Sequence, residues 1–169
     1  MIFVINNTIC FINLSNLYSK DQASAIKQSF WTAFGQYMAL QLSAEGMRIN
    51  WINYKTGIKY LNFKLDASQK SGSIMIEISH PDLAIQELVF EQFLELKNIL
   101  HAALDEEWSW ELHVPDAYGK TVTQIVKRLD DVSVFKQEDW PTLITFLKPR
   151  LVALDEFWSD AQYSFDIFK

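Results

Sequence analysis

The chain has 169 residues and a single cysteine, 49 % of its residues are hydrophobic, and its formal net charge at pH 7 is -6. This length suits one domain with its own core. The negative charge disfavours nucleic-acid binding through phosphates, which needs a basic excess. Cys10 alone excludes an internal disulfide bond and a cysteine-based zinc site, and it favours a reducing compartment, which we take to be the cytoplasm.

The first 17 residues are apolar but do not have the pattern expected of a secretory signal. They lack the basic start and the small-residue cleavage site of a secretory signal, and they are too short to span a bilayer. We expect residues 1–17 to be an extra edge strand, a hairpin or a poorly ordered extension. Residues 18–165 are expected to form a single domain and residues 166–169 a tail. No later segment is long and apolar enough for a membrane span.

The first predicted helix follows Ser19, which has the spacing of a capping box with Gln22. Apolar residues then repeat at helical spacing as far as Tyr37. The segment 43–46 is expected to end this helix.

Three predicted strands follow the first helix. Apolar and polar residues alternate in each of them, over the segments 47–51, 60–65 and 73–79. The connection at 54–57 is tight, and Gly57 suits a positive φ. Short turns between the strands predict an antiparallel meander.

A second helix and two more strands come next. Asp82 opens the helix, whose apolar stripe covers the segment 85–103. Alternation predicts strands at 108–114 and 121–126, although the segment 124–129 also fits a helix.

The last predicted helix begins after Asp139, which is a plausible N-cap. Its apolar residues repeat at spacings of four and three from Trp140 to Trp158, which is the pattern of a helix packed along a partner. Pro149 interrupts this seam and is expected to kink or split the helix. Beyond Ser159 we expect the chain to fray, with docking of Tyr163, Phe165 and Phe168 as the alternative.

The predicted order is therefore helix, three-stranded meander, helix, two strands and a long C-terminal helix. Strands and helices segregated in this way are typical of an α+β fold with helices packed on one face of the sheet. We predict a single α+β domain. The same order also fits a restriction-endonuclease-like core, and this alternative stays open.

Five segments of the sequence are distinctive, namely 18–23, 43–47, 50–57, 86–93 and 155–159. In these segments the chain resembles a bacterial family of uncharacterised small proteins, the domain of unknown function 4268 family. The resemblance extends from Tyr18 to about Phe165. Similar domains also occur at the C-terminal end of longer bacterial proteins, some with a nuclease-like first half. The resemblance thus implies a link to DNA processing or defence by association, and it implies no particular chemistry.

A nuclease-like metal site is the sharpest catalytic hypothesis. A restriction-endonuclease-like core would hold Mg²⁺ with an acidic residue on its second strand and a Glu-x-Lys motif on its third. The matching positions are Asp66 and Glu77, which are the candidates for catalysis and for metal binding. Ser79 stands where the lysine is required. The alternative interpretation is that Glu77 faces solvent and that Asp66 starts a turn.

The six tryptophans support a different hypothesis. Aromatic side chains at strand and helix spacing usually fill a core. A large ring with a polar N–H also suits a ligand groove or an interface. The candidates for such a surface are Trp51, Tyr54, Trp108, Trp110, Trp140 and Trp158.

No cofactor is predicted from the remaining motifs. His80, His101 and His113 lack the spacing of metal ligands, and the five glycines are isolated, so no phosphate-binding loop is apparent.

The sequence names no activity, and three functions stay open. We expect a non-enzymatic interaction or accessory domain that uses its sheet face or last helix to bind a protein partner or a second copy of itself as a homodimer. The alternatives are a degenerate or active nuclease-like domain and a small-ligand binder with an aromatic groove.

Overall fold

The computed structural model describes residues 4–5, 8–9 and 18–169. Its first elements are the strands β1 (Val4–Ile5) and β2 (Thr8–Ile9), which pair with each other in an antiparallel ladder. The other residues of the segment 1–17, for which we predicted an extra edge strand, a hairpin or a poorly ordered extension, lie outside the described residues.

The first helix, α1 (Lys20–Met38), begins as predicted. The Gln22 N–H donates to Ser19 Oγ at 3.2 Å, and the Ser19 N–H donates to Gln22 Oε1 at 2.9 Å, so the capping box is confirmed. The helix ends at Met38, earlier than predicted. The chain turns at this point, because the Gln41 N–H donates back to the Met38 carbonyl at 2.9 Å.

Four strands form the main sheet, which contains β3 (Leu61–Ala67), β4 (Ser71–Ile78), β5 (Ser109–Pro115) and β6 (Thr121–Asp130). The predicted three-stranded meander is wrong, because the segment 47–51 forms no strand and belongs to a loop at residues 39–60. Apolar residues of this segment pack onto the core without pairing in a sheet. The ring of Trp51 is buried, and its indole N–H donates to the Gln41 carbonyl at 3.0 Å. Gly57 takes a positive φ of 80° inside this loop.

The strand order of the sheet is β3-β4-β6-β5, and all three ladders are antiparallel. The fold is therefore α+β, as predicted, with one strand fewer in the sheet. The described strands do not form the mixed sheet that the restriction-endonuclease-like alternative would need. Since β6 continues to Asp130, the helical alternative for the segment 124–129 is wrong.

The two faces of the sheet carry different residue types. On one face lie Ile74, Ile76 and Ile78 of β4, each at most 1 % exposed, with Phe63 and Ile125 beside Ile76 on the neighbouring strands. The opposite face carries a polar row with one residue from each strand: Asn62, Glu77, Gln124 and Glu111. The apolar face forms the core because α2 and α4 pack against it.

Two helices, α2 (Leu83–Glu95) and α3 (Lys97–Leu104), replace the single helix predicted after Asp82. The Asp82 side chain caps α2 and accepts from the Ala84 N–H at 2.9 Å. The break lies at Leu96, where the backbone leaves the helical region with φ -97° and ψ 7°. This turn directs α3 onto the last helix.

The last helix, α4 (Trp140–Ala161), is continuous through Pro149, so the predicted split is wrong. A proline removes the hydrogen bond to the carbonyl four residues earlier, which belongs here to Thr145. Both Pro149 and Thr145 are exposed, and water can therefore bond to that carbonyl. The chain also does not fray, since a 3₁₀ helix (Gln162–Phe168) follows and buries Phe165.

Gly72 on β4 permits the close approach of α4 to the sheet. A Cβ at this position would lie 2.6 Å from Leu143 Cδ2, which no ordinary packing accommodates. Although α4 is the longest helix of the described part of the chain, neither it nor another helix there is long and apolar enough to cross a membrane.

Candidate functional site

A pocket of about 400 Å³ lies between the loop at residues 39–60 and the C-terminal half of α4. Charged, amide and aromatic side chains form its wall, among them Glu45, Asn50, Asn53, Tyr54, Lys55, Asp155 and Trp158. The segments 43–47, 50–57 and 155–159 meet here, although they are distant in sequence. These are three of the five segments that carry the family resemblance.

Two local turns give the loop its shape. In the first turn, the Gly46 N–H donates to the Ser43 carbonyl at 2.8 Å and the Met47 N–H donates to Ser43 Oγ at 3.1 Å. Gly46 has a φ of 74°, a conformation that favours glycine. In the second turn, Asn50 Oδ1 accepts from the Asn53 N–H at 3.0 Å. Both turns place polar side chains on the pocket wall.

Trp158 connects the loop at residues 39–60 to α4 through a hydrogen bond. Its indole N–H donates to the Thr56 carbonyl at 2.9 Å, and the side chain is only 2 % exposed. Its ring lies against Phe63, Phe93 and Phe165, with centroid distances of 5.7, 6.3 and 5.1 Å. The pocket therefore has one wall that belongs to the core.

Asp155 supplies a buried carboxylate to the pocket, with 5 % of the residue exposed. Its Oδ2 accepts from the Ala44 N–H at 2.7 Å, and its Oδ1 accepts from the Tyr54 O–H at 2.6 Å. Both donors are neutral. Within the described part of the chain, no cationic side chain forms an ion pair with Asp155.

Tyr54 keeps its proton in this arrangement. Burial and the hydrogen bond to the Asp155 carboxylate raise the pKa of Tyr54 far above its usual value. The ring also stacks on Phe63 at a centroid distance of 4.9 Å, which fixes its orientation. Tyr54 is therefore the donor of this hydrogen bond, and Asp155 is the acceptor.

Glu45 and Lys55 add two exposed charges to the same pocket. Lys55 also lines a second cavity of about 360 Å³, which shares Asn53 and Tyr54 with the first and extends along β3. The first pocket thus combines two carboxylates with one ammonium group.

Asp66 and Glu77, the two carboxylates predicted for a metal site, are not brought together. Asp66 pairs in register with Ser73, whereas Glu77 pairs with Asn62, four residues away along β3. That separation is about 13 Å at a rise of ~3.3 Å per residue. Among the residues with described positions, no group of three or more His, Cys, Asp or Glu side chains is arranged to hold a metal ion.

The interpretation that Glu77 faces solvent is wrong. The residue is 4 % exposed, and its carboxylate bonds to Lys64 Nζ at 2.6 Å. Lys64 lies two residues from the register partner of Glu77 on the same sheet face, so its long side chain reaches across the strands and covers the carboxylate.

The aromatic candidates occupy separate parts of the molecule. Trp51 and Tyr54 lie together, with ring centroids 6.3 Å apart. Trp110 packs on Phe90 at 5.5 Å, and the Trp108 indole N–H donates to Glu106 Oε1 at 2.8 Å. Neither Trp108 nor Trp110 lines the two cavities described above.

The seam of α4 from Trp140 to Trp158 packs inside the chain. Leu147, Leu151 and Leu154 have no exposed surface. The Trp140 indole N–H donates to a loop carbonyl, and its ring meets an α1 phenylalanine at 5.5 Å. This helix face, which motivated the prediction of a protein partner or homodimer, is therefore covered by the chain itself.

Sequence reasoning did not identify Asp155 as a pocket residue. Its position contained a signal, however. Leu151, Asp155 and Trp158 are spaced by four and three residues, which puts them on one helix face. A carboxylate inside a buried apolar stripe indicates a site with a specific partner.

Comparison with known families gives a match over most of the chain. The family model described as "Domain of unknown function (DUF4268)" matches residues 26–162. The matched range includes the whole loop at residues 39–60 and every residue that lines the pocket. Comparisons with the curated proteins and with the solved structures give no match.

Proposed function

The chain belongs to the family of the domain of unknown function DUF4268, and we propose that it is a non-catalytic domain that binds a small cationic molecule in the pocket beside Asp155. One observation carries this proposal. Asp155 is a buried carboxylate whose hydrogen-bond donors in the described chain are both neutral. A buried charge is costly unless it is paired, so a pocket-lining carboxylate of this kind favours a cation from outside the chain.

The surroundings of Asp155 suit an ammonium or guanidinium group. Glu45 brings a second carboxylate to the pocket, and the amide groups of Asn50 and Asn53 offer further acceptors. The rings of Tyr54 and Trp158 provide aromatic surface, which attracts cations electrostatically. A volume of about 400 Å³ lies within the usual range for small-molecule pockets.

Lys55 suggests what else the ligand carries. Its exposed ammonium on the same pocket suits a carboxylate or phosphate at the other end of the molecule. A compound with a cationic head and an anionic tail would match both charges.

Isothermal titration calorimetry with agmatine, arginine and putrescine tests the proposal, with glutarate as an anionic comparison. We expect the cations to bind and glutarate to fail. Asp155→Asn should weaken cation binding by about tenfold or more, because it removes a charge-assisted hydrogen bond. Asp160→Asn is the matched control, since Asp160 is exposed on the same helix and does not line the pocket.

Circular dichroism and thermal unfolding establish that each variant is folded. If Asp155→Asn fails to fold, Glu45→Gln removes an exposed carboxylate of the same pocket and should weaken binding by about threefold to tenfold. Absence of cation binding to the wild-type protein would refute the proposal. Equal binding to the wild type and to folded Asp155→Asn would also refute it.

A further inference from the structure

A separate cavity, of about 200 Å³, lies where the turn before β3 meets α2 and the C-terminal 3₁₀ helix. Residues 58–61 form one wall, and residues of β4, α2 and the 3₁₀ helix form the others. None of its lining residues belongs to the pocket beside Asp155 or to the cavity along β3. Its properties are therefore independent of the site proposed for a cation.

Most of the wall of this cavity is apolar. Ile58, Leu61, Ile78 and Val89 line it, and each of them is at most 6 % exposed. Partly buried side chains of α2 and of the 3₁₀ helix complete this surface, namely Ile85 and Phe168. An apolar group that displaces water from such a surface gains free energy.

Three polar residues line the same cavity and supply hydrogen-bond donors: Lys59, Tyr60 and His80. The Nδ1 atom of His80 accepts from the Asp82 N–H at 3.0 Å, so the neutral ring carries its proton on Nε2. Among residues 18–169, no acceptor bonds to the Lys59 ammonium, the Tyr60 hydroxyl or His80 Nε2. An anion can accept hydrogen bonds from all three groups.

The charge of the cavity is opposite to that of the whole chain. The formal net charge is -6, yet no acidic side chain of the described residues lines this cavity. Lys169 also lines it but pairs with Asp166 at 2.6 Å, so the argument does not depend on that lysine. The nearby Asp82 carboxylate accepts from the Ala84 N–H as the cap of α2. The cavity is thus a local basic site on an acidic protein.

The backbone of Tyr60 is strained, and this strain brings the donors together. Its φ of 65° lies in the left-handed region, which bulky residues rarely adopt. The Ser79 N–H and Oγ both donate to the Tyr60 carbonyl, at 2.9 and 3.4 Å, and hold this conformation. The ring centroid lies 4.9 Å from Lys59 Nζ and 4.9 Å from the His80 ring. Strained residues of this kind cluster at binding sites.

We propose that this cavity binds a small organic anion, a carboxylate on an aromatic or branched aliphatic body. The carboxylate accepts hydrogen bonds from Lys59, Tyr60 and His80. The body of the ligand rests on the apolar wall. Charge-assisted hydrogen bonds orient the ligand, and burial of its apolar body adds affinity. The proposal uses other residues than the cation pocket and stands or falls independently of it.

Isothermal titration calorimetry at constant ionic strength tests this proposal with phenylacetate as the probe. Phenylacetamide has nearly the same shape without the charge, phenethylamine has the opposite charge, and acetate lacks the apolar body. We expect phenylacetate to bind and each of the other three compounds to bind at least about tenfold more weakly.

Two substitutions test the donors. Lys59→Gln should weaken phenylacetate binding by about threefold to tenfold because it removes an exposed charge. His80→Asn keeps an acceptor for the Asp82 N–H but removes the Nε2 donor, and it should have an effect of similar size. Lys70→Gln is the matched control, since Lys70 is an exposed lysine that does not line the cavity.

Thermal unfolding establishes that each variant is folded. If His80→Asn fails to fold, Lys59→Gln decides, because Lys59 is exposed and forms no hydrogen bond or ion pair within the described chain. Asp155→Asn should leave phenylacetate binding unchanged, which separates this result from the test of the cation pocket.

Amide shifts in two-dimensional NMR spectra locate the ligand. Phenylacetate should shift the resonances of Lys59, Tyr60 and His80 in a saturable way and leave those of Ala44 and Asp155 in place. The proposal is overturned if phenylacetate does not bind or if phenylacetamide binds equally well. Shifts centred elsewhere, or equal affinity of Lys59→Gln and the wild type, would also overturn it.

Discussion

Two buried carboxylates, Glu77 on the sheet and Asp155 on α4, have opposite surroundings. They are 4 % and 5 % exposed, so both have lost nearly all contact with water. Glu77 bonds to the ammonium of Lys64 at 2.6 Å, whereas Asp155 accepts from a backbone N–H and a tyrosine hydroxyl. The charge of Glu77 is neutralised within the chain. That of Asp155 is not neutralised by the described residues, and this difference is the reason why we propose the pocket beside α4 as the binding site.

The backbone explains why the two sites differ. Glu77 lies in a regular ladder, where the register sets a lysine of the neighbouring strand on the same face. Asp155 faces an irregular loop, which offers N–H and hydroxyl groups at positions that no ladder dictates. A loop held by local turns can thus leave room for a ligand beside a carboxylate, whereas a paired sheet closes the space with its own side chains.

Trp158→Ala should have the largest effect, because this ring joins the loop that forms the Asp155 pocket to the core. We expect a loss of about 3–5 kcal/mol in the free energy of unfolding, as for other buried tryptophans. Trp110→Ala is the comparison, since Trp110 is only partly buried and remote from the pocket. Urea denaturation measures both. A loss at Trp158 no greater than that at Trp110 would contradict the assigned role.

Lys64→Met should destabilise the protein by about 1–3 kcal/mol, because it leaves the Glu77 carboxylate buried without a cation. The methionine keeps most of the aliphatic packing. Glu77→Gln in the same chain should recover much of the loss, and a double-mutant cycle from denaturation curves measures the coupling. Strict additivity of the two changes would show that Glu77 does not depend on Lys64.

Glu106 extends the comparison to a third carboxylate with partners in the chain. Burial raises its pKa, but hydrogen bonds from Arg150 and Trp108 outweigh burial and hold the pKa below its ordinary value. Its contribution to stability is therefore complete above the unfolded-state pKa near 4.3 and is lost as pH falls through the lower folded-state pKa.

We expect Glu106→Gln to lower the free energy of unfolding at neutral pH by about 1–2 kcal/mol. The difference from the wild type should shrink as the solution is acidified, and denaturation over a pH series measures it. A difference that grows towards acid pH would show that the sign of this pKa shift is wrong.

Tyr54→Phe should have the smallest effect on stability, about 1 kcal/mol, because one hydrogen bond is removed from a partly exposed ring. In the folded wild type, the raised pKa of Tyr54 means that its hydroxyl stays protonated at alkaline pH. Stability from this group is complete below the unfolded pKa of about 10 and decreases at higher pH, where only the unfolded chain ionises.

Ultraviolet absorbance during an alkaline titration checks this prediction. Tyr54→Phe should leave the amplitude of the phenolate step unchanged as long as the protein stays folded, because the raised pKa of Tyr54 keeps this residue protonated. Loss of amplitude in Tyr54→Phe below the unfolding transition would contradict the hydrogen bond to Asp155.

Regular elements with local signals were predictable from the sequence. The capping box at Ser19 and the side-chain cap of Asp82 mark helix starts, and the alternation at 73–79 gives β4 and its buried face. The α4 seam was also recognised, although its partner proved to be the core of the same chain. Periodicity shows which residues are buried, but it does not show what covers them.

Irregular features were not predictable from local patterns. The segment 47–51 has the alternation of a strand, yet it pairs with no strand of the described chain. Trp51 is buried, and its indole N–H donates to the Gln41 carbonyl within the same loop. The pocket depends on segments more than a hundred residues apart, such as Ala44 and Asp155, and their contact follows only from the tertiary fold.

A two-dimensional NMR titration with agmatine tests the central claim most directly. We expect the amide resonances of Ala44, Tyr54 and Asp155 to shift in a saturable way, and those of Lys64 and Glu77 to stay in place. Folded Asp155→Asn should need about tenfold or more agmatine to reach the same shifts. Shifts centred on Glu77, or shifts that saturate at the same agmatine concentration in Asp155→Asn as in the wild type, would contradict the assignment of Asp155 as the carboxylate that receives an external cation.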